Sequence, residues 1–489
     1  MADELQGKQR TKDYAQHMNI SLAGALAAAS AFLLHLAFVP DSNDAWLLIA
    51  FVPWMLLLSD PSIKHRQILL SSVIMSGAYS ALLFESIVST HMLGTLLGTV
   101  LNIPQILAPS LIFAHFNRRD RHVPAFIGMS LSWYSLTELR AHPSVSGVLA
   151  LDTSIHFTFN ADSIYQVQHV PGLIILLTVF LFAYLLAIYL RKRHLPALFA
   201  SFLLLICVYI TPELLSRQEP PQKMEGDVRL LQTAFTALEV STSQLQSGYT
   251  NHIDYSLQSL LQYAGTAASL VIMPETSLRS TTSISRTKKF TREANLPPVI
   301  TGAVSRDLDS GIQHNSALLF DNLQSDELFR KWQLVPLYES SVFARGSHVA
   351  TVAFNDDSVL GILICMDGVF DVLIAETISA GATHLLILNA SDYGLGYRTP
   401  ELQKKITATL SRKHGVPIMF VTTNGPTSVI DAHGIIQAET LEGSQTVLAA
   451  NLPQHSLTGR TQYVHILEAF VSVAGIALMH RSLRLSQKR

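Results

Sequence analysis

Charged side chains are scarce in this sequence. Only 14% of its 489 residues are Asp, Glu, Lys or Arg, whereas 49% are hydrophobic. A soluble globular chain usually carries about a quarter charged residues, so this balance indicates a membrane protein. The formal net charge is -2 and no basic stripe is present. Nucleic acid is therefore not an expected partner.

Cysteine is nearly absent as well. The chain holds only Cys207 and Cys365, and the first of these lies within an apolar run. Two such residues cannot supply a disulfide framework. No Gly-rich phosphate loop, metal-ligand spacing or HxxxH pair occurs, so we expect neither a metal nor a cofactor. The 19 histidines are expected mostly at surfaces and interfaces.

Long apolar runs dominate the first part of the chain. The run "PGLIILLTVFLFAYLLAIYL" (171–190) meets the roughly 20 residues that a bilayer-spanning helix needs. We count about seven such spans over residues 20–212 and an eighth at 463–480. The first run contains "AGALAAASA" after a basic N-terminus, which also fits a cleavable signal peptide; the spans that follow directly favour an uncleaved helix.

Lysine and arginine in the short loops predict the orientation. Every basic cluster falls on the same side of the predicted spans, which should be the cytoplasm; these clusters lie near residues 8–12, 64–66, 118–121, 191–193 and 481–489. The polar segment between spans seven and eight then lies on the opposite side. The predicted division is a cytoplasmic N-terminus (1–19), a membrane domain (20–212), an extracytoplasmic domain (213–460), a C-terminal transmembrane helix (461–482) and a cytoplasmic tail (483–489).

The extracytoplasmic segment has an α/β pattern. Continuous apolar strands alternate with helices, which predicts sheets that are covered on their faces by helices. The strand candidates are 228–235, 268–275, 297–304, 315–321, 359–365, 383–391 and 417–424, and the helical stretches are 251–265, 369–381 and 400–414.

Three chemically active residues of this domain stand where strands are expected to end. They are Glu275 in "VIMPE", Lys331 in "RKWQLVPLYE" and Cys365 in "GILIC". Singly, each has an ordinary explanation: a solvated loop carboxylate or helix cap, a surface lysine, an inert core thiol. Together, a glutamate, a lysine and a cysteine supply the base, the charge stabiliser and the nucleophile of acyl transfer.

The motifs "VIMPETSL", "RKWQLVPLYE" and "GILICMDGVF" resemble, in order and context, the catalytic motifs of the nitrilase (carbon–nitrogen hydrolase) superfamily. The form K-x-x-L-V-P-x-x-E is similar to that of the apolipoprotein N-acyltransferases, as are "HNSALLF", "NASDYGLG" and "TTNGPTSVIDAHG". The membrane part, through "LSWYSLTELR" and "YQVQHVPGL", resembles that family too. The resemblance implies a multi-pass α-helical membrane domain plus an α/β nitrilase-like domain, an α-β-β-α sandwich, in a monomer.

The resemblance also implies a reaction. Cys365 would attack an ester carbonyl of a phospholipid, Glu275 would act as general base and then acid, and Lys331 would stabilise the oxyanion together with backbone amides after Cys365. The partners would be a phospholipid acyl donor, a diacylglyceryl apolipoprotein acceptor and the membrane. This reaction is the last step of lipoprotein maturation at the bacterial inner (cytoplasmic) membrane, with the catalytic domain on the periplasmic side.

Supporting residues are implied in the same way. Glu339 would orient Lys331 or assist proton transfer, although a loop carboxylate is the plain alternative. Met366 and Asp367 stand where the family commonly has Tyr-Glu, and Asp367 is one methylene shorter than Glu. These departures leave open whether Asp367 replaces the acid that the family has after its cysteine, and whether the loops that bind the substrate are the same.

A second group of residues is expected near a lipid entrance. Trp133, Thr137 and Arg140 share one helix face by their spacing, and Glu138 and Asn389 belong to the family-like segments. The alternative for Arg140 is snorkelling to the headgroups. Glu85, inside a predicted span, is costly in lipid and stays unassigned.

Three functions remain open from the sequence. The first is phospholipid:apolipoprotein N-acyl transfer. The second is a membrane-tethered nitrilase-type amidase or hydrolase, in which water replaces the amine. The third is a degenerate, non-enzymatic relative in envelope assembly, should the replacements at Met366 and Asp367 disable the site.

Overall fold

The structure is a computed structural model. It describes residues 20–37, 45–83, 91–141, 172–201, 227–235, 247–265, 268–307, 309–321, 325–334, 339–347, 349–355, 357–390 and 398–452. The predicted span at 463–480 and the unassigned Glu85 lie outside these residues, as do both predicted cytoplasmic ends, 1–19 and 483–489.

The first part of the described chain is entirely helical. Its helices are α1 (Ile20–Ala37), α2 (Ala45–Ala50), α3 (Val52–Leu58), α4 (His65–Leu83), α5 (His91–Asn117), α6 (His122–Ala141) and α7 (Gly172–Lys192). An aromatic cluster lies in their shared core, where Phe51 meets Trp133 and Phe180 edge to face, with ring centroids 5.4 and 5.0 Å apart. Such edge-to-face pairs add to the stabilisation that burial provides.

Two helices of the described chain are long and apolar enough to cross a membrane. They are Ile20–Ala37 and, within α5, Thr99–Asn117. Helix α7 coincides with the predicted span at 171–190, so its helical character is confirmed. The multi-pass membrane domain itself stays a prediction.

The second part is built on two six-stranded sheets. The first has the strand order β12-β1-β2-β3-β4-β5 and the second β11-β10-β9-β8-β7-β6. The strands are β1 (Val228–Gln232), β2 (Leu270–Ile272), β3 (Val299–Arg306), β4 (Gln313–Phe320), β5 (Ser325–Arg330), β6 (Ala350–Asn355), β7 (Ser358–Ile364), β8 (His384–Asn389), β9 (Ile418–Thr422), β10 (Ser428–Ile430), β11 (Ile436–Glu439) and β12 (Thr446–Ala450). Strands β1, β2 and β3 are parallel neighbours, as are β7, β8 and β9.

Helices cover the outer faces of both sheets. Helices α8 (Ser247–Gly265) and α9 (Thr281–Glu293) pack on the first sheet, and α10 (Asp371–Ser379) and α11 (Arg398–His414) pack on the second. A third apolar core lies between the two sheets, because alternate side chains of each strand point inward. The predicted α-β-β-α sandwich is therefore confirmed.

The predicted elements of this domain are confirmed, although others were missed. All seven predicted strands and all three predicted helices are present. Strands β5, β6, β10, β11 and β12 and helix α9 were not predicted. Helix α9 begins with a capping box between Ser280 and Ser283, a serine pair in place of the usual Ser/Thr with Glu/Gln.

Candidate active site

Cys365 occupies a sharp turn at the end of a buried strand. It follows β7 directly and begins a short 3-10 turn, Cys365–Val369. Its φ is +49°, in the left-handed region that a non-glycine residue adopts only where the surrounding structure imposes it. The side chain is buried, with 8% of its surface exposed. The sequence thus delivers the thiol from a rigid strand rather than from a loose loop.

Glu275 follows β2 and is completely buried. Its Oε1 accepts hydrogen bonds from Lys331 Nζ at 2.9 Å and from Asn315 Nδ2 at 2.7 Å. Its Oε2 accepts one from the backbone N–H of Ala390 at 2.7 Å. Since Ala390 directly follows β8 of the second sheet, this bond joins the two sheets at the site.

Lys331 bridges two buried carboxylates. Besides the bond to Glu275, its Nζ donates to Glu339 Oε1 at 2.8 Å, and Glu339 is 3% exposed. The lysine backbone is fixed on both sides, because its N–H donates to the Asn315 carbonyl and its own carbonyl accepts from Gly346. Asn315 Nδ2 also lies 3.3 Å from Glu339 Oε1. The structure therefore brings the predicted Glu275, Lys331 and Glu339 together.

Burial and the neighbouring charges set the protonation of these groups. Burial raises the pKa of Glu275, and Lys331 opposes that effect. Burial also raises the pKa of Cys365 strongly, with a further increase from Glu275 that Lys331 and Gln403 counteract. Burial acts to lower the pKa of Lys331, but charge interactions with Cys365, Glu275 and Glu339 together raise it well above its usual range. The resting site therefore holds a protonated thiol beside an ammonium, and the thiol needs a base during the reaction.

Asp367 ties the lysine segment to the cysteine strand. Its fully buried carboxylate accepts the backbone N–H groups of Gln333 at 2.6 Å, Trp332 at 3.3 Å and Ile364 at 3.4 Å. Burial raises its pKa to about 7, while Lys331 and these N–H groups act in the opposite direction. Although aspartate is shorter than glutamate, Asp367 thus reaches the backbone of both the segment after Lys331 and the strand before Cys365.

The remaining predicted residues lie in different places. Met366 packs in the apolar cores around the turn, and Asn389 ends β8 with its side chain 3.0 Å from that of Gln403. Trp133 is buried in the helical core, where its backbone carbonyl accepts from Gln105 Nε2.

Glu138 and Arg140 lie on α6, the same helix as Trp133, and their side chains are outside the described part of the structure. Within the residues that the structure describes, no cluster of three or more His, Cys, Asp or Glu side chains could hold a metal ion.

Sequence reasoning missed two side chains that contact the triad. Asn315 lies within the family-like "HNSALLF", but no role was assigned to it. Gln403 lies on α11, and its amide Nε2 is 3.8 Å from Cys365 Sγ. The available signal was the helical spacing of Gln403, Thr407 and Ser411, which places a glutamine on the face that proves to be buried.

Comparison with known proteins defines the class of this domain. Residues 239–461 match the carbon-nitrogen hydrolase family. This part of the chain therefore forms a carbon–nitrogen hydrolase domain. No curated protein matches the chain by sequence.

Solved structures with a similar fold include three of different kinds. One is a mutant of the amidase from Nesterenkonia sp. AN1 with acrylamide added at its active-site cysteine; identity is 17%, the match covers 49% of this chain and 98% of that chain, and the TM-score is 0.38. Another is a carbon-nitrogen hydrolase from Helicobacter pylori, with 17% identity, coverage of 50% of this chain and 93% of that chain, and a TM-score of 0.37. The third is a glutamine-dependent NAD+ synthetase from Acinetobacter baumannii, with 17% identity, coverage of 47% of this chain and 47% of that chain, and a TM-score of 0.37.

Proposed function

We propose that this protein is an acyltransferase that moves an acyl chain from a phospholipid, through a thioester on Cys365, to the α-amine of a diacylglyceryl-cysteine at the N-terminus of an apolipoprotein. The observation that carries the proposal is the buried Glu275–Lys331 ion pair at 2.9 Å, in the site that also contains the Cys365 thiol. The apolar helices of the N-terminal part and the K-x-x-L-V-P-x-x-E motif support a lipid-linked substrate over a soluble amide.

The first half-reaction makes the thioester. The Cys365 thiol gives its proton to Glu275 as the sulfur attacks the ester carbonyl carbon of the phospholipid. Lys331 and backbone N–H groups of the turn after Cys365 stabilise the resulting oxyanion. The carbon–oxygen ester bond then breaks, and Glu275 returns the proton to the leaving oxygen, which releases a lysophospholipid.

The second half-reaction consumes the thioester. The α-amine attacks the thioester carbonyl carbon while Glu275 accepts an amine proton, and collapse of the tetrahedral intermediate breaks the carbon–sulfur bond. The Cys365 thiolate leaves and takes the proton back from Glu275. The sequence is a ping-pong acyl transfer with an amide as product.

A membrane-tethered amidase or hydrolase is the second candidate function. The match to the carbon–nitrogen hydrolase family favours it, since the same triad would hydrolyse an amide or ester if water attacked the thioester. The intact buried triad, by contrast, supports an active enzyme over a degenerate relative. The nature of the second nucleophile therefore separates the two enzymatic proposals.

The test is complementation with a chemical readout. A bacterial host depleted of its own N-acyltransferase would express this chain, and the N-termini of its lipoproteins would be read by mass spectrometry. We expect N-acylated termini with the wild-type chain and free α-amines with Cys365→Ser, because a serine hydroxyl lacks the nucleophilicity of the thiolate.

A thioester assay supplies the complement to this test. Purified protein given phospholipid without acceptor should accumulate an acyl group on Cys365. Persistence of free α-amines despite normal amounts of membrane-inserted wild-type chain would overturn the transferase proposal. Equal rates of thioester loss to water and to an acceptor peptide would establish the hydrolase instead.

A further inference from the structure

The sulfur of Cys365 receives a hydrogen bond from a helix that carries none of the triad residues. Gln403 is on α11, is 4% exposed, and donates from Nε2 to Sγ at 3.8 Å. This distance is within the range for a sulfur acceptor. Gln403 lies outside the three motifs that contain Glu275, Lys331 and Cys365.

The orientation of this carboxamide is set by a second one. Gln403 Oε1 accepts from Asn389 Nδ2 at 3.0 Å, so the Gln403 NH2 group is the one that faces the sulfur. Asn389 is the last residue of β8, and the next residue, Ala390, donates its backbone N–H to Glu275. At the end of β8, Asn389 thus holds Gln403, and the next residue, Ala390, holds Glu275.

The electrostatics of the site explain why such a donor is useful. Lys331 Nζ is shared between Glu275 and Glu339, so one ammonium faces two buried carboxyl groups near a buried sulfur. A negative, desolvated environment disfavours a thiolate. A neutral N–H donor favours the thiolate by hydrogen bonding and adds no charge that would bind Glu275 in competition with Lys331.

We propose that Gln403 is a further catalytic residue, whose carboxamide stabilises the Cys365 thiolate when it forms in the first half-reaction and when it leaves in the second, and that Asn389 positions this carboxamide. The proposal rests on the proposed function for the identity of acyl donor and acceptor. The reactivity of the sulfur itself can be measured without either substrate.

The experiment measures alkylation of Cys365 by iodoacetamide, with mass spectrometry of the modified peptide, at several pH values from 7 to 9. Gln403→Leu removes the donor at similar volume, and Gln403→Glu replaces it with an isosteric acceptor. We expect alkylation at fixed pH to fall about threefold to tenfold in Gln403→Leu, because a lower thiolate fraction is only partly offset by higher nucleophilicity. In Gln403→Glu, alkylation of Cys365 should fall further at the higher pH values, where the introduced carboxylate is ionised beside the sulfur.

Asn389→Leu tests the positioning role. It leaves Gln403 in place but frees the amide to rotate, so alkylation should fall less than in Gln403→Leu, and the double variant should be no slower than Gln403→Leu alone. A matched control is Gln437→Leu on β11, where Gln437 Nε2 donates to Asp431. Its alkylation should equal wild type.

Two results would overturn the proposal. The first is wild-type alkylation in folded Gln403→Leu, and the second is equal loss in the Gln437→Leu control. If Gln403→Leu does not fold, the isosteric Gln403→Glu decides by the same criterion. The alkylation assay uses neither acyl donor nor acceptor. If the transferase proposal fails, the expected differences in Cys365 alkylation between wild type and the variants stay the same, so the two failures are distinguishable.

Discussion

At the scale of single residues, the site combines one ammonium with two buried carboxylates. Lys331 is 2.9 Å from Glu275 and 2.8 Å from Glu339, and all three side chains are at most 3% exposed. Desolvation of such charges offsets most of their attraction, so a buried ion cluster is a poor means of stabilising a fold. The proposed reaction gives this cluster a chemical use, because in that proposal Glu275 exchanges protons with a thiol that rests protonated.

Asp367 leads to a prediction about stability and pH. Its pKa is about 7 in the folded protein, against the ordinary value near 3.8. The folded state therefore binds the proton more tightly than the unfolded state, and its stabilising contribution is present at low pH and lost as the pH rises from about 4 to about 7. The loss is on the order of 4 kcal/mol at most.

The measurement compares wild type with Asp367→Asn by thermal unfolding between pH 4.5 and 8. The variant loses hydrogen bonds at every pH, but it lacks this titration, so the wild-type midpoint should fall relative to the variant up to about pH 7 and then run parallel to it. Parallel curves over the whole range would contradict the assigned burial of an ionisable Asp367.

The residues of the site were not equally predictable. Glu275, Lys331 and Cys365 could be predicted because each stands in a short motif, and the three motifs occur in the order that the resemblance implies. Gln403 and Asn315 could not, because their roles depend on which helix covers the second sheet and which strand lies beside β5. Glutamine and asparagine carry no charge that would single them out in an apolar pattern.

At the scale of elements, close backbone approaches hold the triad residues in place. Gly302 of β3 lies against the turn that carries Glu275, and its N–H donates to the Pro274 carbonyl at 3.1 Å. A Cβ at this position would lie 2.4 Å from Glu275 Cα and 2.6 Å from the Pro274 oxygen. Since these are backbone atoms, a side chain here must displace the turn itself.

Gly302→Ala should therefore impair the enzyme more than it impairs the fold. We expect a loss of about 1–3 kcal/mol in stability from overpacking. In the proposed reaction Glu275 is the general base, so displacing it by about 1 Å should lower the rate of the proposed acyl transfer by about 100-fold. Thermal unfolding and steady-state kinetics measure the two effects separately.

The matched control is Gly77→Ala in helix α4. There the Cβ meets only the Thr99 side chain, at 3.8 Å, and alanine is the better helix former. Its stability should be unchanged or slightly higher and its activity unchanged. Full activity in Gly302→Ala would show that the Glu275 turn tolerates movement.

Strands were predictable where their apolar sequence is uninterrupted. The central strands β2, β3, β7, β8 and β9 are apolar runs covered on both faces, and the sequence shows this directly. The missed strands β5, β10 and β11 are short or polar and depend on pairing with a neighbour already in place. Such pairing is a tertiary effect, which local sequence does not encode.

At the scale of the whole molecule, the orientation of the chain remains a prediction that labelling can test. Single cysteines would replace Ser62, beside the basic residues Lys64 and Arg66, and Ser310 in the sandwich, on a background with Cys207→Ser and Cys365→Ser. Both sites are exposed. A membrane-impermeant maleimide applied outside the inner membrane should label the cysteine at 310, whereas the one at 62 should react only after the membrane is broken.

Cells broken before labelling supply the control, since both cysteines should then react to the same extent. Labelling at position 62 in intact cells, or protection at 310, would reverse or exclude the orientation that the lysine and arginine distribution predicts.

The pairing of β1 with β12 has a mechanical consequence. The two strands run antiparallel with Val228 opposite Ala450, so the chain enters and leaves the sandwich side by side, about 5 Å apart. If the flanking segments are anchored in a bilayer, both attach to the domain at neighbouring positions of its first sheet. Two attachments at one place restrain rotation of the domain less than two attachments far apart, so such an anchor leaves the tilt of the thiol toward the lipid surface adjustable.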